Sequence, residues 1–443
     1  MPNAQDATKN KPQPLTDAEK QDYIARMKAA WKNLPPDKRT ALEPLLEEGH
    51  RQFGDFVQTG KAPEHRLHNV LRMKSYLTDD QDKHLANHAA AVAKAIEITV
   101  GPEGEILGTG KYQQLDPRWE LMAGTIWLEN LLHKHPFPTG MPTPKPMPEE
   151  GKVRIALAGD FGTGNFGAGD SPSTKISKIM ASLQPHFTVH LGDVYYAGTA
   201  DEEADYLLKY WPPGLLGSFT LNSNHEMYPG GRPYFDKAVG GPLFKQSQAP
   251  FSFFALENSH WVVVGLDSAY NAGELDLYMN GSLGNNNDQV SFLRKLAQKG
   301  KKVIVLTHHN GFNLGGFDPG KPLKLFTEVM EAFRGVAPPA YWYWGHIHAG
   351  AVYKPLKEFN GMLCRCAGHA ALPWGLSSEL QEGHKPGGQV EWFEDMNAGD
   401  PDDKLRVFNG CVLLELDGDN LLETFYDEKG RIAWASGKVY YRG

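Results

Sequence analysis

Along the first third of the chain, apolar positions recur every three to four residues, the period of a helix with one buried face. Tyr23, Ile24, Met27, Ala30 and Trp31 form such a stripe. Before it stands Thr16-Asp17-Ala18-Glu19, the spacing at which a hydroxyl and a carboxylate cap each other's backbone donors. Similar patterns predict helices over about 37–58, 64–76, 79–95 and 119–132. Two short extended runs, 96–100 and 105–107, flank the turn signal Gly101-Pro102-Glu103-Gly104. Residues 135–149, HPFPTGMPTPKPMPE, are so rich in proline that they read as a semi-rigid linker.

Beyond the linker the period changes. Short β-branched or apolar runs at 153–158, 187–191, 218–221, 261–266, 302–306 and 340–344 alternate with helical patterns near 173–183, 202–211, 287–298 and 323–333. This rhythm predicts a layered α/β unit, with the strand-like runs 407–416, 421–426 and 432–441 closing it as an antiparallel meander. The expected organisation is a disordered polar tail over 1–18, a mostly helical segment over 19–134, a linker over 135–150 and a catalytic domain over 151–443.

Chemistry gathers where the strands end. The first run finishes in Gly159-Asp160-Phe161-Gly162, the second in Gly192-Asp193-Val194-Tyr195-Tyr196 and the third in Asn224-His225-Glu226. Two later runs finish in His308-His309 and in Gly345-His346-Ile347-His348. Open α/β sheets build their crevices beyond the carboxyl ends of their strands. Carboxylates, an amide and several imidazoles delivered there make a metal site more plausible than a catalytic triad, and imidazole with hard oxygen donors suits Fe, Zn or Mn. Any one piece alone has a bland explanation: a turn aspartate, a buried structural histidine, an aromatic packed under a loop. Five in order, each at a strand terminus, are what carry the assignment.

Composition narrows the partners. The 443 residues carry a formal charge of −8, which lacks the basic footprint of a nucleic-acid binder, so a phosphorylated small molecule or other phosphoester is expected and bulk nucleic acid is not. The three cysteines, Cys364, Cys366 and Cys411, are too few and wrongly spaced for a zinc knuckle or a disulfide framework; alternation in a strand would set Cys364 and Cys366 on one face. No stretch reaches the roughly 20 apolar residues that span a bilayer. The polar N-terminus has no signal-like apolar core, so a cytoplasmic location is expected, with unconventional export left open. Oligomeric state is not legible. The glycine-rich Gly162-Thr163-Gly164-Asn165-Phe166-Gly167 is not a dinucleotide fingerprint, because no ribose-binding acid follows it. Tyr228 and Arg232 are candidates for the substrate pocket, and His369 is a candidate for a supporting place near the metals.

The five blocks resemble the signature of purple acid phosphatases, a branch of the calcineurin-like metallophosphoesterases, over about 153–350. Most other members of the superfamily carry histidine where Gly162 stands and lack a tyrosine at the position of Tyr196. The resemblance implies a metallophosphoesterase-type β-sandwich flanked by helices and a binuclear site that hydrolyses phosphate esters through a hydroxide generated at the metals. It implies that Asp193 bridges the ions, that Asp160, Tyr196 and His348 complete an Fe(III) position, and that Asn224, His308 and His346 complete a divalent one holding Fe, Zn or Mn. His225 matches the histidine that protonates the leaving group or holds the phosphoryl oxygens. A tyrosinate from Tyr196 would give a visible charge-transfer colour. Two departures stand out: Ser223 replaces a glycine before Asn-His, and the loop after His308 offers only His309 as a second catalytic candidate. The alternatives are a phosphodiesterase, or an effector protein whose helical N-terminal segment directs a subordinate phosphoesterase.

Overall fold

The computed structural model describes residues 15–60, 73–77, 99–167, 169–285, 287–313, 321–357 and 360–437. Helix α1, Asp17–Asn33, starts where Thr16 and Glu19 form their reciprocal cap. Residues 1–14 of the expected tail lie outside the described residues, while Leu15 is buried and Asp17 and Ala18 are already helical. Helix α2 is Pro36–Thr59, closed by Gly60 at φ 70°, and α3 is Pro117–Asn130, capped by Asp116. Thr99–Val100 pairs with Ile106–Leu107 around the expected turn. Of the helix expected over 64–76 only the turn Met73–Leu77 lies among the described residues, and the one over 79–95 lies outside them.

Two sheets follow. The first has six strands: β1 Val153–Ala158, β2 Phe187–His190, β3 Gly217–Thr220 and the C-terminal meander Gly410–Asp417, Asn420–Asp427 and Ile432–Ala435. β1, β2 and β3 are parallel, and Gly410–Asp417 lies antiparallel to β1. The second sheet has eight strands, with three of its central pairings parallel, those of Trp261–Gly265, β4 Lys302–Leu306, β5 Tyr341–Trp344 and Leu363–Ala367.

Alternation along β1 shows how the layers form. Val153, Ile155 and Leu157 enter the core between the sheets with Val189, Ile304, Leu306 and Leu414, while Ala156 and Ala158 face helix Pro172–Ser182 through Ile176 and Met180. In β4, Ile304 and Leu306 point to the same inter-sheet core and Val303 and Val305 to helices Asp288–Ala297 and Lys324–Ala332. Strands covered on both faces carry continuous apolar runs, and this is why β1 and β4 do. The result is an α/β sandwich with a helical layer on each outer face, preceded by a helical N-terminal segment. Cys364 and Cys366 share one face, as their spacing requires.

Two features were not foreseen. Lys145–Pro146 of the proline-rich stretch pairs in parallel with Phe254–Glu257 as an edge strand, and Met147 is buried beside it. The N-terminal helices share one core with loops of the sandwich: Met27, Phe56, Trp119 and Trp127 cluster with Tyr195, Tyr196, Met227, Tyr228 and Leu277. Arg26 clasps Glu129 at 2.6 Å within the segment, and Lys38 reaches Glu274 of the sandwich at 2.6 Å.

Candidate metal centre

The carboxyl ends of β1, β2 and β3 in one sheet and of β4 and β5 in the other open onto the same rim. Backbone hydrogen bonds tie the loops together: Asp160 N donates to Gly192 O at 2.9 Å and Gly345 N to His308 O at 2.9 Å. Asp160, Asp193, His346 and His348 all hold left-handed backbone, at φ 59°, 77°, 68° and 48°. Such conformations cost about 1–3 kcal/mol each and persist where the surroundings over-determine them, often at functional sites. Close approach explains the neighbouring glycines. A Cβ on Gly192, at φ 99°, would lie 2.8 Å from His308 Nδ1, and one on Gly345 would lie 2.7 Å from Asp160 Oδ2.

Two groups of lone pairs result. His308 donates Nδ1–H to Leu191 O at 2.8 Å, so its Nε2 is bare. Around that nitrogen stand Asn224 Oδ1 at 3.0 Å, His346 Nδ1 at 3.2 Å and Asp193 Oδ1 at 3.3 Å. Asn224 is oriented by its amide nitrogen, which donates to Tyr228 Oη at 3.2 Å. The second group surrounds His348 Nε2: Tyr195 Oη at 3.0 Å, Asp160 Oδ1 at 3.3 Å and Asp193 Oδ2 at 3.6 Å. Asp193 thus gives one oxygen to each group.

The electrostatics fit cations. Burial, then the neighbouring Asp193 charge, pushes the Asp160 carboxyl well above the usual range. Burial acts on Asp193 in the same direction and is the largest single influence, but His308, His225 and hydrogen bonds with His348 and Asp160 together hold that group well below its ordinary value. Two buried carboxylates so close together do not both stay ionised unless positive charge joins them. A ring of oxygens and imidazole nitrogens with few donors among them supplies the place for that charge.

The family model of the calcineurin-like phosphoesterases matches residues 153–350. These residues form a calcineurin-like phosphoesterase domain. No curated protein matches the chain. Among solved structures, GAP50, the anchor in the inner membrane complex of Plasmodium, is 14% identical over 64% of this chain and 87% of its own, with a TM-score of 0.45. A dimetal phosphatase from Danio rerio is 12% identical over 62% of this chain and 95% of its own, at 0.39.

Within the phosphoesterase domain, Asp160, Asp193, Asn224, His308, His346 and His348 converge. Tyr196 does not. Its hydroxyl turns away and donates to Asp116 Oδ2 at 2.6 Å, at the start of α3, and the phenol at the metal site is that of Tyr195, 2.7 Å from Asp193 Oδ2. The two tyrosines lie in a turn beyond the strand, and Asp116 captures the hydroxyl of the second. His309 is also corrected. Nε2–H donates to Tyr278 O at 2.8 Å and Nδ1 accepts from Ser268 Oγ at 2.9 Å, so both nitrogens are engaged although the ring lies 4.5 Å from that of His346. It braces the loop around Tyr278, and with His308 and His346 it forms a group whose ligand atoms lie within 4.8 Å of one another.

His225 donates Nδ1–H to Tyr196 O at 2.6 Å, which leaves Nε2 as the nitrogen not engaged by the backbone. Its ring packs between Tyr195 at 4.5 Å, Tyr228 at 4.9 Å and Trp119 at 5.7 Å. Arg232 is exposed, and His369 is buried beside Phe425. No motif singles out Trp119, whose contacts with Tyr195, Tyr196 and His225 arise only once α3 docks. Ser223 was legible only as a departure: its hydroxyl bonds Asp193 and Glu226 and accepts from His225 N at 3.1 Å, so it fixes the turn that presents Asn224 and His225.

Proposed function

We propose that the chain is a binuclear metal-dependent phosphoesterase of purple acid phosphatase-like type. The observation that carries this is the division of Asp193 between two lone-pair groups, one around His308 Nε2 and one around His348 Nε2. Asn224, His308, His346 and Asp193 would hold one ion; Asp160, Asp193, His348 and Tyr195 would hold the other. The second position, with its phenol, is the one suited to Fe(III), and the first to Fe, Zn or Mn. Paired cations supply Lewis acidity at the phosphoryl oxygens and lower the pKa of a water near neutrality.

The chain's own residues do the rest. His225, anchored at Nδ1, aims Nε2 at the phosphoryl group or the leaving oxygen, where a positioned donor lowers the barrier. Ser223 holds Asp193 from behind, and Trp119 with Tyr112 closes one side against water. Because Trp119 and Tyr112 come from the helical segment, that segment is part of the catalytic unit rather than a director of it.

Assays of p-nitrophenyl phosphate and its bis ester, with iron, zinc and manganese in turn, test the proposal and separate monoesterase from diesterase. Hydrolysis lost on chelation, restored by metal and absent in His346→Ala is the expected result. Hydrolysis of neither ester under any metal loading would refute it. Visible absorption from the iron-loaded protein would support the purple acid phosphatase-like assignment, and a colourless iron-loaded protein would reduce it to a metallophosphoesterase without tyrosinate ligation.

A further inference from the structure

A cavity of about 690 Å³ lies on the other side of the aromatic wall from the metal centre, between α1, the loop leading into α3 and the turn after Tyr196. Its size falls in the range of small-molecule sites. Tyr196, which left the metals, lines it; so do Tyr23, Tyr206 and Met122.

Lys111 projects into this space in an unusual state. Its ammonium sits 4.9 Å from the ring centre of Tyr112, 5.3 Å from that of Phe166 and 5.8 Å from that of Tyr206. Among the described residues it has no hydrogen bond and no ion pair. Rings stabilise a cation through their faces but accept none of its three N–H donors in a strong bond. Burial first, and then the charge of Arg118 across the cavity, bring its pKa down to about 8.

The carboxylates nearest to it are already committed. Asp116 accepts from Tyr112 N at 3.0 Å, Arg118 N at 2.9 Å and Tyr196 Oη at 2.6 Å. Glu202 accepts from the backbone of Tyr196, from Ala197 N at 3.1 Å and from Thr199 N at 3.0 Å. Asp201 and Asp205 stand exposed at the mouth. Three cationic side chains line this void, Lys20, which pairs with Asp17 at 3.7 Å, Lys111 and Arg118, and among the described residues the Lys111 ammonium lacks an acceptor.

We propose that this cavity binds a small organic oxyanion, a carboxylate or phosphoryl group on a flat apolar body, with its charge between Lys111 and Arg118 and its body against Tyr23 and Tyr206. The site is separate from the metal centre and stands whether or not the chain hydrolyses phosphoesters. Its ligand abuts Tyr196, whose chain neighbour Tyr195 faces the metals.

Calorimetric titration of the metal-loaded full chain tests this, with benzoate as the carboxylate probe and phenylphosphonate as the phosphoryl probe. At least one probe is expected to bind at a site that survives His346→Ala. Lys111→Met should weaken that site by roughly tenfold to a hundredfold, the worth of a charge-assisted hydrogen bond, while Lys111→Arg retains it. Met122→Trp, which fills the cavity without altering its charge, should also abolish it. Binding of only one probe identifies which source of the oxyanion the site prefers. The proposal is overturned if neither probe binds the wild type, if all binding disappears with His346→Ala, or if folded Lys111→Met and Met122→Trp both bind as the wild type does.

Discussion

Exchange of the two adjacent tyrosines for phenylalanine gives opposite outcomes if the assignment of the metal centre is right. Tyr195 Oη lies 2.7 Å from Asp193 Oδ2, 3.2 Å from Asp160 Oδ1 and 3.0 Å from His348 Nε2, so Tyr195→Phe deletes an atom that completes one cation position. Loss of a partner that merely supports a metal ligand costs about 10–100-fold in affinity, which sets the floor for losing the oxygen itself. The ring stays in place, since Tyr195 is fully buried and phenylalanine refills its space. Tyr196→Phe instead breaks one hydrogen bond, to Asp116, which keeps its two backbone donors. The expected cost is about 1–3 kcal/mol of stability, with no loss of metal. Metal content per chain after dialysis against a competing chelator, read with the visible spectrum and a thermal melt, separates the two. Tyr195→Phe should shed one ion and lose any iron–phenolate colour; Tyr196→Phe should melt lower and keep both ions. Metal loss from Tyr196→Phe, with full occupancy in Tyr195→Phe, would refute the placement.

Three further outcomes follow from the same geometry. His225→Gln should lower kcat by about 10²–10⁴-fold, the usual worth of a positioned acid or base, while metal analysis finds the ions still bound; parallel loss of metal would make His225 a ligand instead. Truncation at Pro146 removes Tyr112, Asp116 and Trp119 and uncovers Tyr195, Tyr196, Met227 and Leu277, so the shortened chain should aggregate or lose at least about 90% of its ester hydrolysis, and a soluble fragment of full activity would make the helices an appendage. Glu203 is buried, both its carboxyl oxygens lack hydrogen-bond partners among the described residues, and burial followed by the Glu202 charge pushes its pKa well up. An acid raised by folding keeps its proton when the unfolded chain has lost it, so its cost to stability grows with pH, by about 1.4 kcal/mol per pH unit until the folded group itself ionises. Glu203→Gln should therefore melt higher than wild type by a margin that widens as pH rises above the ordinary glutamate range; a constant or shrinking margin would count against a buried neutral carboxyl.

Much of the fold was legible because it follows from local rules. Runs such as Val153–Ala158 and Lys302–Leu306 are apolar on both faces, which only a strand between two layers tolerates, and their turn-forming ends mark the rim where ligands collect. What escaped was set by partners far along the chain. Gly350–Tyr353 and Val390–Phe393 are four-residue strands with no alternation to announce them, held by pairing with each other and with Leu363–Ala367. The prolines of 135–149 argue for a linker, yet a sheet edge accepts proline where no N–H is required, and Lys145–Pro146 takes that place.

The site shows the same division more sharply, because its two errors share a cause. Tyr195-Tyr196 and His308-His309 are pairs of like residues at a strand end, and residue type alone says that one member faces the metals without saying which. Asp116, eighty residues earlier, captures Tyr196. Ser268 and the carbonyl of Tyr278 capture His309. In each pair the residue left for the ions keeps one polar atom free to face the cluster, Tyr195 Oη or the Nε2 of His308, whose Nδ1 is held by Leu191 O, and the claimants of the other member lie on segments that the motif blocks do not include. The metal centre is therefore selected twice: by the blocks, which bring the donor types to the rim, and by the helical segment and the 268–278 loop, which decide which donors remain available. Changing Asp116 or Ser268 should consequently perturb the centre although neither would touch an ion.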